Sequence, residues 1–407
     1  MNIILLSGGS GKRLWPLSND IRSKQFIPFF RGQDGKMQSM VQKMYQQIKR
    51  IDKDAIITLA TSKAQASEIR NQLGDEVNIS IEPERKDTFP AIALACSYLH
   101  DVKKVGLNEP ILVCPVDPYV EEDYFLSLKE MEKIVQSKRS KLVLMGIEPT
   151  CPSEKFGYII PKSKAKLSYV STFKEKPDVE TAKKYLKKHA LWNAGIFGFE
   201  CGYVLSRAHE LIDFKDYDDL YEKYDSLNKI SFDYAVSEKE ESISVLRFKG
   251  KWDDLGTWPA LVSVIDEDHL GKVVSEKNRN TKIINELDIP IVALGMKNAI
   301  IAASKDGILV SSIDKSSSIK PIAEELDNGT VRYAEKSWGK YTVIDVSKNS
   351  MTISINLTRY HKMSYHSHSH RNEIWNIVSG KGEVILDGIK KKVFSGEVKF
   401  TNDEMSK

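Results

Sequence analysis

The chain has 407 residues, 41% hydrophobic and 29% charged, the make-up of a folded globular protein of two or three domains and not of a disordered one. Lysine and arginine total 60 against 56 acidic residues, a net charge of +4 that is too slight for a protein whose main partner is nucleic acid. No apolar run approaches the roughly 18 residues that span a bilayer, which argues against a membrane partner.

The opening Met1–Leu6 run has no basic residue before it and ends in glycines, so no secretory leader is expected. Over residues 1–265 short apolar runs then alternate with helical spacing. Strands are expected at Ile3–Leu6, Ile56–Ala60, Ile79–Glu82, Ile111–Pro115 and Leu142–Ile147. Helices are expected at Met37–Arg50, Lys63–Leu73, Ala91–Val102 and Tyr124–Gln136. This rhythm predicts an α/β fold, a mostly parallel, Rossmann-like sheet with helices on both faces. Such sheets bind ligands at the carboxyl ends of their strands. Residues 266–328 read as a small β-rich connecting region, and residues 329–407 as the strands of a small barrel. No internal repeat stands out. Cys96, Cys114, Cys151 and Cys201 are far apart with no CxxC pair, as expected of reduced thiols in a cytoplasmic protein.

Three segments carry chemistry on their own terms. Ser7-Gly8-Gly9-Ser10-Gly11-Lys12-Arg13-Leu14 follows the first strand. Glycines let backbone N–H groups converge on a phosphate, and Arg13 with Lys12 adds charge-assisted hydrogen bonds. The spacing is neither a Walker loop nor GxGxxG, so a phosphate loop and a plain glycine-rich turn both stay open. Asp117 follows a buried strand, a natural place for a Mg2+ ligand, although Val116-Asp117-Pro118 alone also suits a turn. His366 and His368, two apart, share one side of a strand and can hold one ion with Glu373.

Longer stretches resemble a known family. Gly8-Gly9-Ser10-Gly11-Lys12-Arg13-Leu14-Trp15-Pro16-Leu17, followed by Lys24-Gln25-Phe26, closely resembles the signature of sugar-1-phosphate nucleotidylyltransferases, in the mannose-1-phosphate guanylyltransferase branch. The resemblance implies catalytic roles for Arg13 and Lys24 on the triphosphate, with Leu6, Gly8, Gly9, Gly11 and Lys12 beside the nucleotide. The segment Glu82 to Ala93 is similar to the family's E-P-x-x-R-N-T-A-P-A-I-A block and implies nucleotide contacts from Glu82, Lys86, Asp87 and Thr88. Lys86 and Asp87 stand where the family has Arg and Asn, and Asp87 or Thr88 also suits a helix N-cap. Cys114-Pro115-Val116-Asp117-Pro118 resembles P-S-D-H, with Asp117 on the metal-binding Asp and Pro118 in place of His. Lys251 to Trp258 resembles W-x-D-V-G-S-W and puts Asp254 on the second Mg2+ ligand. The Phe156, Phe173 and Trp192 blocks imply sugar-phosphate contacts from Gly157, Tyr158, Glu175, Lys176 and Asn193. Asp233 falls in a segment similar to S-I-D-Y-A-V-M-E-K, which implies a place at or behind the sugar.

From Trp338 the chain resembles the start of a phosphomannose isomerase-like cupin. Its first metal motif is present at His366, His368 and Glu373, and the sequence stops at Lys407 before the second. A partial cupin is therefore expected, with an incomplete transition-metal site and open strand edges that pair with another chain in a homodimer. Taken together, the resemblance implies a cytoplasmic, Mg2+-dependent enzyme that joins GTP and mannose 1-phosphate into GDP-mannose and pyrophosphate. The alternatives are isomerisation of mannose 6-phosphate in the cupin, or a related transferase using another sugar 1-phosphate or nucleotide.

Overall fold

A computed structural model of the chain describes every residue except 10–11, 20, 327–330, 367, 369–370, 387 and 402–407. Its contacts divide the chain into two units, Met1–Ile355 and Asn356–Lys407.

Nine strands of the first unit form one sheet. Their spatial order is Asn78–Glu82, Ile56–Ser62, Asn2–Ser7, Pro110–Pro115, Leu191–Glu200, Leu142–Ile147, Ile243–Phe248, Leu167–Lys174 and Gly157–Pro161. The first four run parallel. Their apolar runs are buried on both faces, as in Ile3, Ile4 and Leu5 at 0% exposure, because helices cover the sheet on each side. Leu191–Glu200 is reversed and lies antiparallel to both neighbours. It divides the sheet into a parallel half and a second half built from Leu142–Ile147 and the later strands.

Local chemistry sets the helix bounds. The first long helix is Met40–Ile51, not Met37–Arg50. Ser39 accepts from the Gln42 amide N–H and the Gln42 side chain accepts from the Ser39 N–H, a capping box that fixes the start. Met37–Gln38 instead pairs with Phe30–Arg31. The apolar helix begins at Thr88, earlier than the periodicity suggested, because Asp87 caps it. Tyr98–Val102 continues it as a wider turn. Helix Glu122–Gln136 buries Tyr124, Phe125, Leu128, Met131, Ile134 and Val135 against the opposite face of the sheet.

The β-rich region is a short solenoid. Val273–Glu276 lies parallel to Ile291–Leu294, and Arg279–Asn285 parallel to Lys297–Ser304, each with its partner 18 residues on. The corners repeat too: Lys277 and Gly295, then Asn280 and Asn298, have left-handed φ angles of 56°, 66°, 47° and 48°. The Asn280 amide donates to Asn298 Oδ1 at 2.7 Å across the rungs. The region thus contains an internal repeat that side-chain identity conceals. Gly307–Ser312 pairs antiparallel with the last rung.

A third apolar cluster ties Leu14, Leu17, Ile27 and Phe29 of the N-terminal signature to Trp258 and to Ile284, Ile300 and Ile319 of the solenoid region. The strands Tyr333–Lys336 and Gly339–Val346 pair antiparallel. Ala334 in this hairpin is fully buried, and Asn71 on helix Lys63–Leu73 donates to the Lys336 carbonyl at 3.0 Å.

In the second unit, considered by itself, the described residues include the antiparallel pairs Glu373–Asn376 with Val398–Thr401 and Lys381–Leu386 with Ile389–Phe394. Among the described residues, no helix is long and apolar enough to cross a membrane.

Candidate active site

Gly8 and Gly9 leave the carboxyl end of strand Asn2–Ser7, and no atom lies within 4 Å of where their Cβ atoms would be. Gly9 sits at φ 108°, a backbone state that L side chains resist. Gly11, expected beside the phosphates, lies outside the described residues. Behind the loop is a buried polar lattice. Ser23 Oγ donates to the Gly9 carbonyl at 3.0 Å, Gln65 donates to Ser23 Oγ at 2.5 Å, and Thr61 donates to the Ser7 carbonyl at 3.0 Å. Gln25 Nε2 donates to Ser7 Oγ at 3.4 Å. Ser7, Ser23, Gln25, Thr61 and Gln65 are all buried, so each bond replaces water that cannot enter.

That lattice holds Lys24 from both sides. Its Nζ lies 2.7 Å from Asp117 Oδ2 and 3.9 Å from Asp254 Oδ1. The two carboxylates come together because Pro118–Val120 pairs antiparallel with Trp252–Asp254, with Asp254 opposite Pro118. Pro118 opens this two-stranded ribbon, where the amide it lacks is not needed. Gly256 leaves room beside Asp254, since a Cβ there would come within 3.0 Å of Oδ1. Arg13 is exposed on the turn Lys12–Leu14, and Lys12 is half-buried there. The Leu6 carbonyl accepts from the Val116 N–H at 3.2 Å and thereby ties the glycine loop to the Asp117 segment.

The segment expected at the base is partly committed elsewhere. Glu82 is buried, accepts from the Tyr224 hydroxyl at 2.9 Å, and has its carboxyl pushed up by burial. Lys86, expected beside the nucleotide, is 9% exposed. Its ammonium is held by the carbonyls of Asp225 and Leu227, the latter at 3.0 Å, and lies 3.5 Å from Glu84, so it fastens one loop to another. Asp87 is exposed, stands at φ 74°, and accepts from the Thr88 N–H at 2.8 Å. Thr88 Oγ1 accepts from the Phe232 N–H at 2.8 Å and so links this helix start to the Asp233 segment.

The expected sugar-phosphate residues gather around the start of the reversed strand. Asn193 lies opposite Gly157 in the sheet, donates to Asp233 Oδ1 at 2.7 Å, and accepts from the Gly195 N–H at 3.3 Å. Glu175 Oε1 lies 2.8 Å from Lys176 Nζ, while Oε2 is buried with no partner. A side chain on Gly157 would collide with that oxygen, so the glycine opens the space that Oε2 faces. Lys176 is held at φ 42°, unusual for a residue other than glycine. The Asp233 carboxyl is raised to about 7, first by burial and then by the nearby Glu175 charge. Tyr158 contributes backbone only, because its ring is buried and its hydroxyl accepts from the Ser153 N–H at 2.8 Å. Sequence reasoning missed Glu238, whose carboxylate accepts from the Glu175 N–H at 3.0 Å and pairs with Lys174 at 3.1 Å. It also missed that the Phe156 and Trp192 rings meet, tilted at 34° with centroids 4.6 Å apart.

The pattern of the family described as Nucleotidyl transferase matches residues 2–270. The chain belongs to the nucleotidyl transferase family. The pattern described as Mannose-6-phosphate isomerase C-terminal matches residues 324–405. The chain is 29% identical to a mannose-1-phosphate guanylyltransferase of Salmonella montevideo, over 97% of this chain and 89% of that protein. It is also 29% identical to the xanthan biosynthesis protein XanB of Xanthomonas campestris pv. campestris, over 94% of this chain and 86% of that one. A solved structure described as mannose-1-phosphate geranyltransferase from Thermus thermophilus superposes with a TM-score of 0.67 at 28% identity, covering 80% of this chain and 98% of that one.

For a nucleotidyl transferase, the donor set of Asp117 and Asp254 suits a hard divalent cation. Two carboxylates from distant segments converge on one positive centre, here the Lys24 ammonium, and offer only oxygen. In the second unit, donor atoms of His366, His368 and Glu373 lie within 4.8 Å of one another, a set that suits a transition ion. His368 Nε2 is 2.9 Å from Glu373 Oε1, and the Trp375 indole donates to Glu373 Oε2 at 2.9 Å.

Proposed function

We propose that this nucleotidyl transferase joins GTP and mannose 1-phosphate, releasing pyrophosphate and GDP-mannose. The observation that carries the reading is the meeting of Lys24 with Asp117 and Asp254 next to an open glycine loop. A phosphate oxygen of the sugar 1-phosphate attacks the α-phosphorus of the nucleotide. A new P–O bond forms there while the bond to the bridging oxygen of the β-phosphate breaks, and pyrophosphate carries away the charge. Such a step needs no covalent help from the protein, only alignment and charge neutralisation.

The amides of Gly8 and Gly9 and the Arg13 guanidinium bind the β- and γ-phosphates. Lys24 neutralises charge on the oxygens of the reacting α-phosphate. Asp117 and Asp254 would hold Mg2+, which supplies further neutralisation of the triphosphate when bound. The free Oε2 of Glu175 accepts from sugar hydroxyls, Lys176 meets the sugar's phosphate, and Asn193 fixes the ring edge against Asp233.

The test is pyrophosphate release from the four common nucleoside triphosphates against a panel of hexose 1-phosphates, with and without magnesium. The expected result is turnover with GTP and mannose 1-phosphate that stops on chelation. Turnover with another pair, or none with any pair, would overturn the assignment. The relatives named for mannose-1-phosphate guanylyltransferase and for xanthan biosynthesis support both the substrate choice and a role in polysaccharide supply.

A further inference from the structure

Between the glycine loop and Lys24 the chain makes a closed turn. Asn19 Oδ1 accepts from the backbone N–H groups of Ile21 and Arg22 at 2.9 and 2.7 Å, and the Asn19 N–H donates to the Arg22 carbonyl at 2.9 Å. This turn is anchored outside the nucleotidyl transferase sheet. The Arg22 guanidinium, 16% exposed, donates to Glu286 Oε2 at 2.6 Å, and Glu286 directly follows a solenoid rung strand. Arg22 also lies 5.9 Å from the centre of the Tyr333 ring in the hairpin. The Asn19 amide donates to Asp306 Oδ2 at 2.7 Å, and Asp306 Oδ1 accepts from the Arg332 N–H at 3.0 Å. Earlier in the chain, the Pro16 carbonyl accepts from Ser304 Oγ at 2.6 Å.

We propose that Glu286 and Asp306, two solenoid carboxylates, are positioning residues for Lys24, acting through the Asn19–Arg22 turn. The argument runs along the chain. Arg22 is two residues before Lys24, and Ser23 between them is already fixed to the Gly9 carbonyl. With Arg22 and Ser23 both pinned, the backbone that leads into Lys24 has little freedom left. The solenoid is therefore part of the machinery of transfer and not an appended spacer. This inference rests on the Proposed function for its kinetic consequence and on geometry alone for its structural one.

Two readouts in the full-length protein separate these. The first is the rate at which Lys24 is acylated by a water-soluble amine reagent, followed by peptide mass spectrometry. In Glu286→Ala and in Asp306→Ala, Lys24 leaves Asp117 more often and labels severalfold faster, while exposed Lys164, in the loop before strand Leu167–Lys174, labels as before. The second is steady-state transfer. Loss of alignment lowers kcat by up to about 100-fold with the KM for the sugar 1-phosphate little changed. Glu286→Gln, which keeps a hydrogen bond to Arg22, recovers part of the loss, and so does the swap Arg22→Glu with Glu286→Arg. Unchanged Lys24 labelling in folded single variants overturns the proposal whatever the activity. Wild-type protein without any transfer overturns the assigned reaction and leaves labelling to judge the positioning role. Should an alanine variant fail to fold, Glu286→Gln with a smaller labelling increase supports the proposal, and the same variant with none overturns it.

Discussion

Lys24→Ala and Asp254→Ala remove charged groups placed in the proposed transfer step, the lysine side chain 15% exposed and the carboxylate 43% exposed. Each variant is expected to keep its circular dichroism and thermal transition while kcat falls by about 100- to 1000-fold, the usual size for one charge-stabilising group. Near-normal turnover in either would remove that residue from the mechanism. Asp233 offers a pH test. Free in the unfolded chain it titrates at about 4, and folded it titrates at about 7, with burial as the main cause and Glu175 the second. The folded protein therefore holds a proton the unfolded chain has lost, so this contribution to stability is complete below about pH 4 and drains away as pH rises toward 7. Asp233→Asn should flatten the fall of Tm across that window, and an unaltered slope would count against the shift. At this scale the sequence was informative where a candidate residue sat inside a contiguous pattern, as Lys24, Asp117 and Asp254 do, and the structure brings those three together. It was silent on Gln65 and Glu238, whose partners are distant in the chain, and on the two carbonyls that hold the Lys86 ammonium.

Elements show a similar division. Strands of the first half are apolar runs buried on both faces and could be read directly. The reversed strand Leu191–Glu200 could not, because an apolar run has no direction. Its reversal explains why Asn193, a proposed sugar contact, lies at the beginning of a strand when the rule for parallel sheets points to their ends. The solenoid period was hidden because its rungs match in backbone and not in side chain: Thr281 faces Ala299, Lys282 faces Ile300, and Asn285 faces Ala303. Helix Lys63–Leu73 carries a test of how the hairpin docks. Glu68 is buried there, and its carboxyl is raised to about 7 by burial and then by Glu335. Its stabilising share is likewise full at low pH and lost as pH climbs through 7. Glu68→Gln is expected to raise Tm at pH 8 and leave it nearly unchanged at pH 4, both read by differential scanning calorimetry.

At the scale of the molecule, every residue placed in the proposed transfer step belongs to the unit Met1–Ile355. A chain ended after Ile355 should therefore retain transfer, while any transition metal found by elemental analysis in the full protein should disappear with His366, His368 and Glu373. A folded truncation without activity would show that the second unit takes part. The cupin-like segment was legible because its histidines and glutamate are close in sequence, and they do lie within 4.8 Å of one another in space.

Solenoid coils have a property that globular sheets lack. Because each turn copies the backbone path of the one before, such a coil can gain or lose a whole circuit at its far side without re-aiming what precedes it. In this protein Glu286 sits between the two copies, ahead of the last circuit, whereas Asp306 follows it. Drift in the number of circuits would thus preserve one clamp on the Asn19–Arg22 turn and relocate the other, which makes this stretch tolerant of length change on one side only.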